Sequence, residues 1–509
     1  MRLSRNRLSQ IGTPMRLSRD RLSQIGTPVS VPRYDASSVR AGIVHLGLGA
    51  FHRAHMARYT HDLMQQDGAS LSWGILGVEL MRGGARLIRD LASQDGLYTV
   101  VERGAQESVS VVASLAGVRD ASDSRAAVLA ALDDAAIRII SLTVTENGYC
   151  LNPATKRLDL DHVLIRADLE QPERPRSAIG VIVETLRRRR ARGRTPPTVL
   201  SCDNIQHNGD VLRDAVATLA AMRDEALARW IADEASFPNT MVDRITPVTY
   251  EADVRRLEQR YGIHDDCLVV CESFRQWVVE DRFRQGRPAW ERVGAQFVDD
   301  VAPYERMKLR LLNASHLAVA GLGQLAGYET IHESMADRRI TAVMTAMMDK
   351  ETGPTLGPVP GIDLGAYKRT LVERFSNAAI RDTVQRVNSD APVNLLIDPI
   401  RDRLAAGGGL DLLALALAAW FYRVRGIDAA GRPVRVVHPL TDLLKRKAAE
   451  GGSDPAALLS VQSLFGGLGT DRRLVDPLAD WLGRLYRDGI EATLDEAHRR
   501  AQAASPTRW

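Results

Sequence analysis

Between residues 41 and 204, short unbroken apolar runs alternate with stretches whose apolar residues recur every three or four positions, the pattern of strands followed by helices. IVHLGLG at 43–49 is an apolar run that ends in glycines, and AFHRAHMARYTHDLMQQ at 50–66 continues at helical spacing, which predicts a strand, a tight turn and a helix. Further strand-like runs are WGILGVEL at 73–80, LYTVVER at 97–103, SVSVVASLAGV at 108–118, IRIISLTVT at 137–145 and TVLSCDN at 198–204, with helices predicted over 124–135 and 177–193. Alternation of this kind predicts an α/β domain with a parallel or mixed sheet. From about residue 300 the pattern changes: helical spacing dominates over 305–326, 335–350, 364–374, 409–424 and 475–487, and few β-runs remain. A second, mainly helical domain is expected there, with the boundary near Val293 to Val301 and an ordered Gly/Pro-rich connection, ETGPTLGPVPGIDLG, at 351–365. The expected division is a tail over 1–38, an α/β domain over 39–297 and a helical domain over 298–509. The tail contains a duplication, MRLSRNRLSQIGTP at 1–14 recurring as MRLSRDRLSQIGTP at 15–28. Its Arg- and Ser-rich composition, with no acid before Asp20, resembles a transit peptide and reads as a mobile surface extension.

Composition narrows the function classes. A chain of 509 residues exceeds the roughly 250–300 at which one core stops growing, in keeping with two domains. The 67 Lys and Arg against 63 Asp and Glu leave +4, too small a bias for a nucleic-acid surface. The basic run RRRRARGR at 187–194 reads as a solvated helix end. No stretch approaches the ~20 continuous apolar residues of a membrane span. Four cysteines, Cys150, Cys202, Cys267 and Cys271, are too few for a disulfide framework and favour a reducing, cytoplasmic setting. Cys267 and Cys271 lack a matching Cys/His pair, so they read as buried strand thiols and no metal site is expected.

Gly47 and Gly49 sit where a strand gives way to a helix, the place where a dinucleotide pyrophosphate meets backbone N–H groups. The third glycine of G-x-G-x-x-G is replaced by His52, so the pattern alone leaves a plain structural turn equally open. Glu79, at the end of the second strand, is the candidate for bonding the adenosine ribose.

GLGAFHRAH at 47–55 closely resembles the cofactor turn of the mannitol dehydrogenase, or long-chain polyol dehydrogenase, family. Similar blocks follow in the family's order: SLTVTENGYC at 141–150, SCDNIQHNGD at 201–210, FPNTMVDRITP at 237–247, ESFRQWVVEDRF at 272–283, YERMKLRLLNASH at 304–316 and ERFSNAAI at 373–380. The resemblance implies a Rossmann-like dinucleotide-binding domain followed by a mainly α-helical C-terminal domain, with Gly47, Gly49, Ala50, Phe51, Arg53 and Glu79 serving the cofactor. NAD is the expected cofactor, with NADP left open by Gly83-Gly84 beside Arg82, where some relatives carry acids.

The resemblance also assigns the chemistry. Oxidising a polyol requires a base for the hydroxyl proton as hydride leaves carbon, and donors for the developing carbonyl oxygen. Lys308 is the implied base, Asn313 and His316 the oxygen-polarising pair and Asn204 a further donor; each residue alone would read as a surface lysine, a helix amide or a core histidine. On an ideal helix 308, 313 and 316 span an arc of about 140°, yet 308 and 316 lie about 12 Å apart along the axis. Lys308 must reach along the helix or lie in a differently shaped first turn. Asp243 and Arg374 are implied substrate contacts lining an interdomain cleft, Arg244 stays open between that role and a buried ion pair, and Glu305 resembles the family's acid at the proton exit. The expected partner is a small polyol or ketose, the expected state a monomer or small homo-oligomer. D-mannitol with D-fructose is the leading pair, with fructuronate reductase and D-arabinitol 4-dehydrogenase as alternatives within the family and a non-catalytic NAD-binding protein as an alternative of another class.

Overall fold

The computed structural model describes residues 14–503 apart from 123–124, 153–154 and 429–430. The chain forms two compact units, Met1–Val301 and Ala302–Trp509.

The first unit is built on five parallel strands, β1 (Ala41–Leu46), β2 (Gly74–Glu79), β3 (Leu115–Asp120), β4 (Ile139–Leu142) and β5 (Thr198–Ser201), in the spatial order β3-β2-β1-β4-β5. Ile43 pairs with Ile75 and Ile139, and Val44 with Leu76 and Ile140. Because successive side chains leave a strand on opposite faces, these doublets feed two cores. Val44, Leu76 and Ile140 pack with Val181, Ile182 and Val216 of the helices Ala178–Ala191 and Asn208–Arg223. Ile43, Ile75 and Ile139 pack with Tyr59, Leu63, Trp277 and Trp290 on the other side. A strand covered on both faces has no polar side, which is why IVHL reads as an unbroken apolar run. The expected Rossmann-like sheet is present, and its strand order reverses between β1 and β4, the point at which open α/β sheets bind ligands outside their carboxyl ends.

The run at 108–118 is two strands rather than one. Glu107–Val112 pairs antiparallel with Tyr98–Arg103 in a small separate sheet, whereas Leu115–Asp120 joins the main sheet. Between them the buried Ser114 donates its hydroxyl to Ala57 O at 2.7 Å and its carbonyl accepts from Ile75 N. Residues 109–115 are buried without a break across the change of sheet, so periodicity does not show it.

The tail also needs correction. Its first copy, residues 1–13, lies outside the described residues, but the second copy is no mobile extension. Met15–Arg16 pairs in parallel with Ile263–His264, Leu17 is buried, and Leu22 and Ile25 pack on a core of Val101, Val109, Val111, Leu257 and Ile263. Three apolar side chains at suitable spacing decide the outcome; Arg21 and Ser23 between them are exposed, whereas Arg19 is half-buried and donates to Asp95 O at 3.2 Å.

The second unit is helical, as expected. Ala314–Leu325 and Asp411–Arg423 are apolar around most of their circumference, the pattern of helices enclosed by others. They pack on each other, with Val384–Asp390 against the first and Arg472–Arg487 against the second.

Candidate active site

At the carboxyl end of β1 the chain turns through Gly47, whose φ of +90° lies in the region that favours glycine. A Cβ there would sit 2.2 Å from Thr143 O, so glycine also permits the close approach of the turn to the end of β4. Gly49, by contrast, has open space where a Cβ would project. This division of labour fits a dinucleotide turn: one glycine to make the bend, another to admit a phosphate to the backbone. The helix beyond is short, Ala50–Ala54, and breaks at His55 before resuming as Met56–Gln66, where a single continuous helix was expected. His52, in the place of the third glycine, stacks on His45 with ring centroids 3.4 Å apart. Burial pushes His45 down to about 3 and His52 well below its usual value, so both rings are neutral supports beneath the turn. His45 in turn meets Ser141 Oγ at 2.8 Å and Thr143 Oγ1 at 2.9 Å.

Glu79 ends β2 beside this turn. Burial raises its carboxyl above the usual range while the N–H of Leu48 pulls it back, and a Cβ on Gly84 would lie 2.5 Å from its Cγ. Phe51 stacks on His55 at 4.9 Å. Arg53 is buried, donates to Cys267 O and lies 5.6 Å from the centre of the Tyr98 ring. Its guanidinium therefore braces the turn from within the protein. Arg244 resolves to the structural alternative: it pairs with Glu102 and donates to Glu272 O at 2.8 and 3.0 Å. Asp243, its neighbour, is buried at the end of the strand Thr240–Asp243.

The loops after β4 and β5 are tied together by a residue that sequence reasoning passed over. Asp203 is buried and accepts from Val144 N at 3.1 Å, Thr145 N at 2.8 Å and Tyr149 OH at 3.0 Å. Burial pushes its carboxyl up to about 6 against the pull of those three donors. Asn204, the next residue, is exposed just beyond the carboxyl end of β5.

In the second unit, Ala302–Met307, Lys308–Asn313 and Ala314–Leu325 form one continuous helical rod whose middle segment is a π turn. Of the two geometries open to Lys308, the structure takes the differently shaped turn. Its i→i+5 bonding, seen as Ala314 N to Leu309 O, widens the helix so that Lys308 and Asn313 bracket one turn. Glu305 lies three residues earlier and is buried, as are Lys308, His316 and Arg374. The Asn313 amide oxygen is buried without a partner among the described residues, so the fold leaves that oxygen unused. His316 stacks on Phe375 at 4.5 Å, and its Nε2 lies 3.2 Å from Asp382 Oδ2, close enough for an ion pair but not aligned as a hydrogen bond. Burial raises the Asp382 carboxyl, but the facing His316 and the Arg386 guanidinium outweigh it and hold the group below its usual range. Arg374, at the end of the helix Leu364–Phe375, immediately precedes the phenyl ring on which His316 rests.

Two family models cover almost all of the chain beyond its tail: the mannitol dehydrogenase Rossmann domain matches residues 41–292 and the mannitol dehydrogenase C-terminal domain residues 300–486. The chain belongs to the mannitol dehydrogenase family. Among relatives, D-mannonate oxidoreductase of Escherichia coli (strain K12) is 44% identical over 442 residues, covering 85% of this chain and 90% of that protein. Mannitol 2-dehydrogenase of Aspergillus fumigatus is 42% identical over 475 residues, 91% of this chain and 94% of that protein. The solved structure of Pseudomonas fluorescens mannitol 2-dehydrogenase in ternary complex with NAD and D-mannitol superposes with a TM-score of 0.88 at 41% identity, over 96% of this chain and 100% of that one. Membership of the mannitol dehydrogenase family makes the chain an oxidoreductase with a dinucleotide-binding Rossmann domain.

For a mannitol dehydrogenase relative, the residues absent from the sequence reading are those that orient others. Asp203 lies inside the recognised SCDN and Asp382 two residues beyond ERFSNAAI, and those positions are the one signal that marks them. A third, Glu351, is buried in a second π turn, Met348–Thr352, that packs against the first. It accepts from Leu412 N at 2.8 Å and Leu413 N at 2.6 Å, and burial pushes it up to about 7. The four cysteines are free and buried, and no helix among the described residues is long and apolar enough to cross a membrane.

Proposed function

We propose that the protein is an NAD-dependent polyol dehydrogenase that interconverts D-mannitol and D-fructose at C2, with Lys308 as the proton acceptor in oxidation and the donor in reduction. The observation that carries this reading is the π turn that sets Lys308 and Asn313 on one widened coil, one turn before a His316 oriented by Phe375 and Asp382. A lysine can accept a proton only as the neutral amine, and burial, which penalises the ammonium, is the condition that lets it serve; Lys308 is 7% exposed. Asn313 and His316 hold the substrate oxygen as it becomes a carbonyl, and Asn204 is read as a further donor. Asp243 and Arg374 are read as contacts to the remaining hydroxyls, and Glu305 as the group that passes the proton from Lys308 to solvent.

The turn at Gly47 and Gly49, with Ala50, Phe51 and Glu79, would hold the dinucleotide, and Arg53 would brace it. When bound, NAD supplies the acceptor for the hydride that leaves C2. A carboxylate at the end of β2 favours a free ribose hydroxyl over a 2′-phosphate, which supports NAD over NADP.

A second reading within the same chemistry, reduction of a keto-uronate, is favoured by the 44% identity to a protein named D-mannonate oxidoreductase. One panel separates them: nicotinamide absorbance is followed with D-mannitol, D-arabinitol, D-sorbitol, D-fructose and fructuronate, each with both cofactors and with chelator. Chelator-resistant turnover of mannitol and fructose with NAD is expected. Preference for fructuronate moves the substrate assignment, and cofactor binding without turnover of any of the five favours a non-catalytic protein.

A further inference from the structure

We propose that Asp203 is a positioning residue whose carboxylate locks the turn after β4 and Asn204 after β5 into a single framework against the glycine turn, and so sets the affinity for the nicotinamide dinucleotide. The proposal rests on the cofactor reading above and concerns a buried residue argued to act through the turn it holds.

The loop after β4 is held in a conformation it would not choose. Thr145 has φ of +63°, in the left-handed region, where a β-branched side chain is disfavoured. Such an outlier persists only when its surroundings impose it. Here the imposing contacts are the hydrogen bonds that Val144 N and Thr145 N donate to the two oxygens of one buried carboxylate. Tyr149 OH donates to the same carboxylate and meets Ser201 Oγ at 2.6 Å, so both ends of the loop close on β5. On the other flank, Thr143 Oγ1 donates to Gly47 O at 2.8 Å, and Thr143 O occupies the space a side chain at Gly47 would need. The path from the glycine turn to Asn204 therefore runs through Thr143, the strained turn and Asp203, all at the strand-order reversal between β1 and β4.

Asp203 itself cannot swing aside. Asn208 Nδ2 donates to its carbonyl at 3.0 Å and to Thr240 O at 3.0 Å, which fixes the backbone beneath Asn204. An ionised carboxylate is acceptor-only and suits three donors, whereas an amide of the same shape must turn an N–H toward one of them. Asp203→Asn thus keeps the volume and removes the lock.

The test uses the full chain and two readouts: hydrogen exchange over residues 141–150 without cofactor, and the Kd for NADH by titration. In Asp203→Asn, exchange over that segment is expected to accelerate while β1 and β2 stay protected, and NADH binding to weaken about ten-fold. Thr145→Gly removes the left-handed penalty, so adding it to Asp203→Asn is expected to recover roughly three-fold of the lost affinity. A residue that merely filled space would show no such rescue. Faster exchange with unchanged Kd overturns the proposal, as does a double variant no better than Asp203→Asn. Should Asp203→Asn fail to fold, Tyr149→Phe withdraws one donor only; about three-fold weaker NADH binding supports the proposal and unchanged binding overturns it. A parent protein that binds no NADH overturns both this proposal and the cofactor reading, whereas one that binds NADH but leaves mannitol untouched overturns the substrate reading alone.

Discussion

Lys308 and Glu351 are both buried in the second unit, and burial bears on each differently. If Lys308 moves the proton, Lys308→Ala is expected to lower turnover by about 10²–10⁴-fold while NADH still binds. Stopped-flow kinetics with a parallel binding titration checks this, and unchanged turnover across pH would sink the assignment. Glu351 carries a stability prediction. Its carboxyl sits at about 7 in the folded protein against an ordinary 4.5, so the folded state binds the proton more tightly than the unfolded chain. The stabilisation this provides is complete below about pH 4.5 and is lost as pH rises through about 7. The second unit is therefore expected to lose stability between those values, by on the order of 3 kcal/mol from this group. In Glu351→Gln that slope should flatten, even though a mispaired amide lowers stability at pH 5; denaturant midpoints at several pH values give the answer. Lysine, asparagine and histidine at this spacing are visible in the sequence because they fall in a recognised block. Glu351 lies outside such blocks and Asp203 inside one, but the role of neither is visible, because it depends on which backbone N–H groups the fold brings to them.

Among the elements, the glycine turn and the π turn each hold the candidate residues of their own unit. Gly47 and Gly49 look equivalent in the sequence, but the structure separates them. Gly47→Ala meets a carbonyl at 2.2 Å in a left-handed conformation and is expected to cost the first unit about 2–4 kcal/mol. Gly49→Ala enters open space at φ −68° and is expected to change stability by no more than ~0.5 kcal/mol. Any loss of NADH affinity in the second variant then reports the approach of the ligand itself, and chemical denaturation beside a binding titration separates the two effects. The strands of the main sheet were legible because a strand covered on both faces must be apolar throughout. The break at His55, the division of 108–118 between two sheets and the π turn were not, because each changes hydrogen-bond connectivity without changing which residues are apolar.

At the scale of the molecule, the second copy of the duplicated tail segment belongs to the first unit. Leu17 is 1% exposed, so Leu17→Ala is expected to lower the stability of that unit by about 2–3 kcal/mol, measured by the midpoint of urea unfolding. A value near zero would return the segment to the mobile extension its composition suggested. By itself the sequence determined the change from α/β to helical character near residue 300, the class of the sheet and the family blocks, because apolar periodicity and local chemistry are written in consecutive residues. Tertiary structure alone decided that Arg53 and Arg244 are internal braces, that Asp382 orients His316 and that Asp203 locks a strained turn. Those outcomes depend on pairings across tens or hundreds of residues, and a buried charge takes its role from whatever partner the fold places within reach.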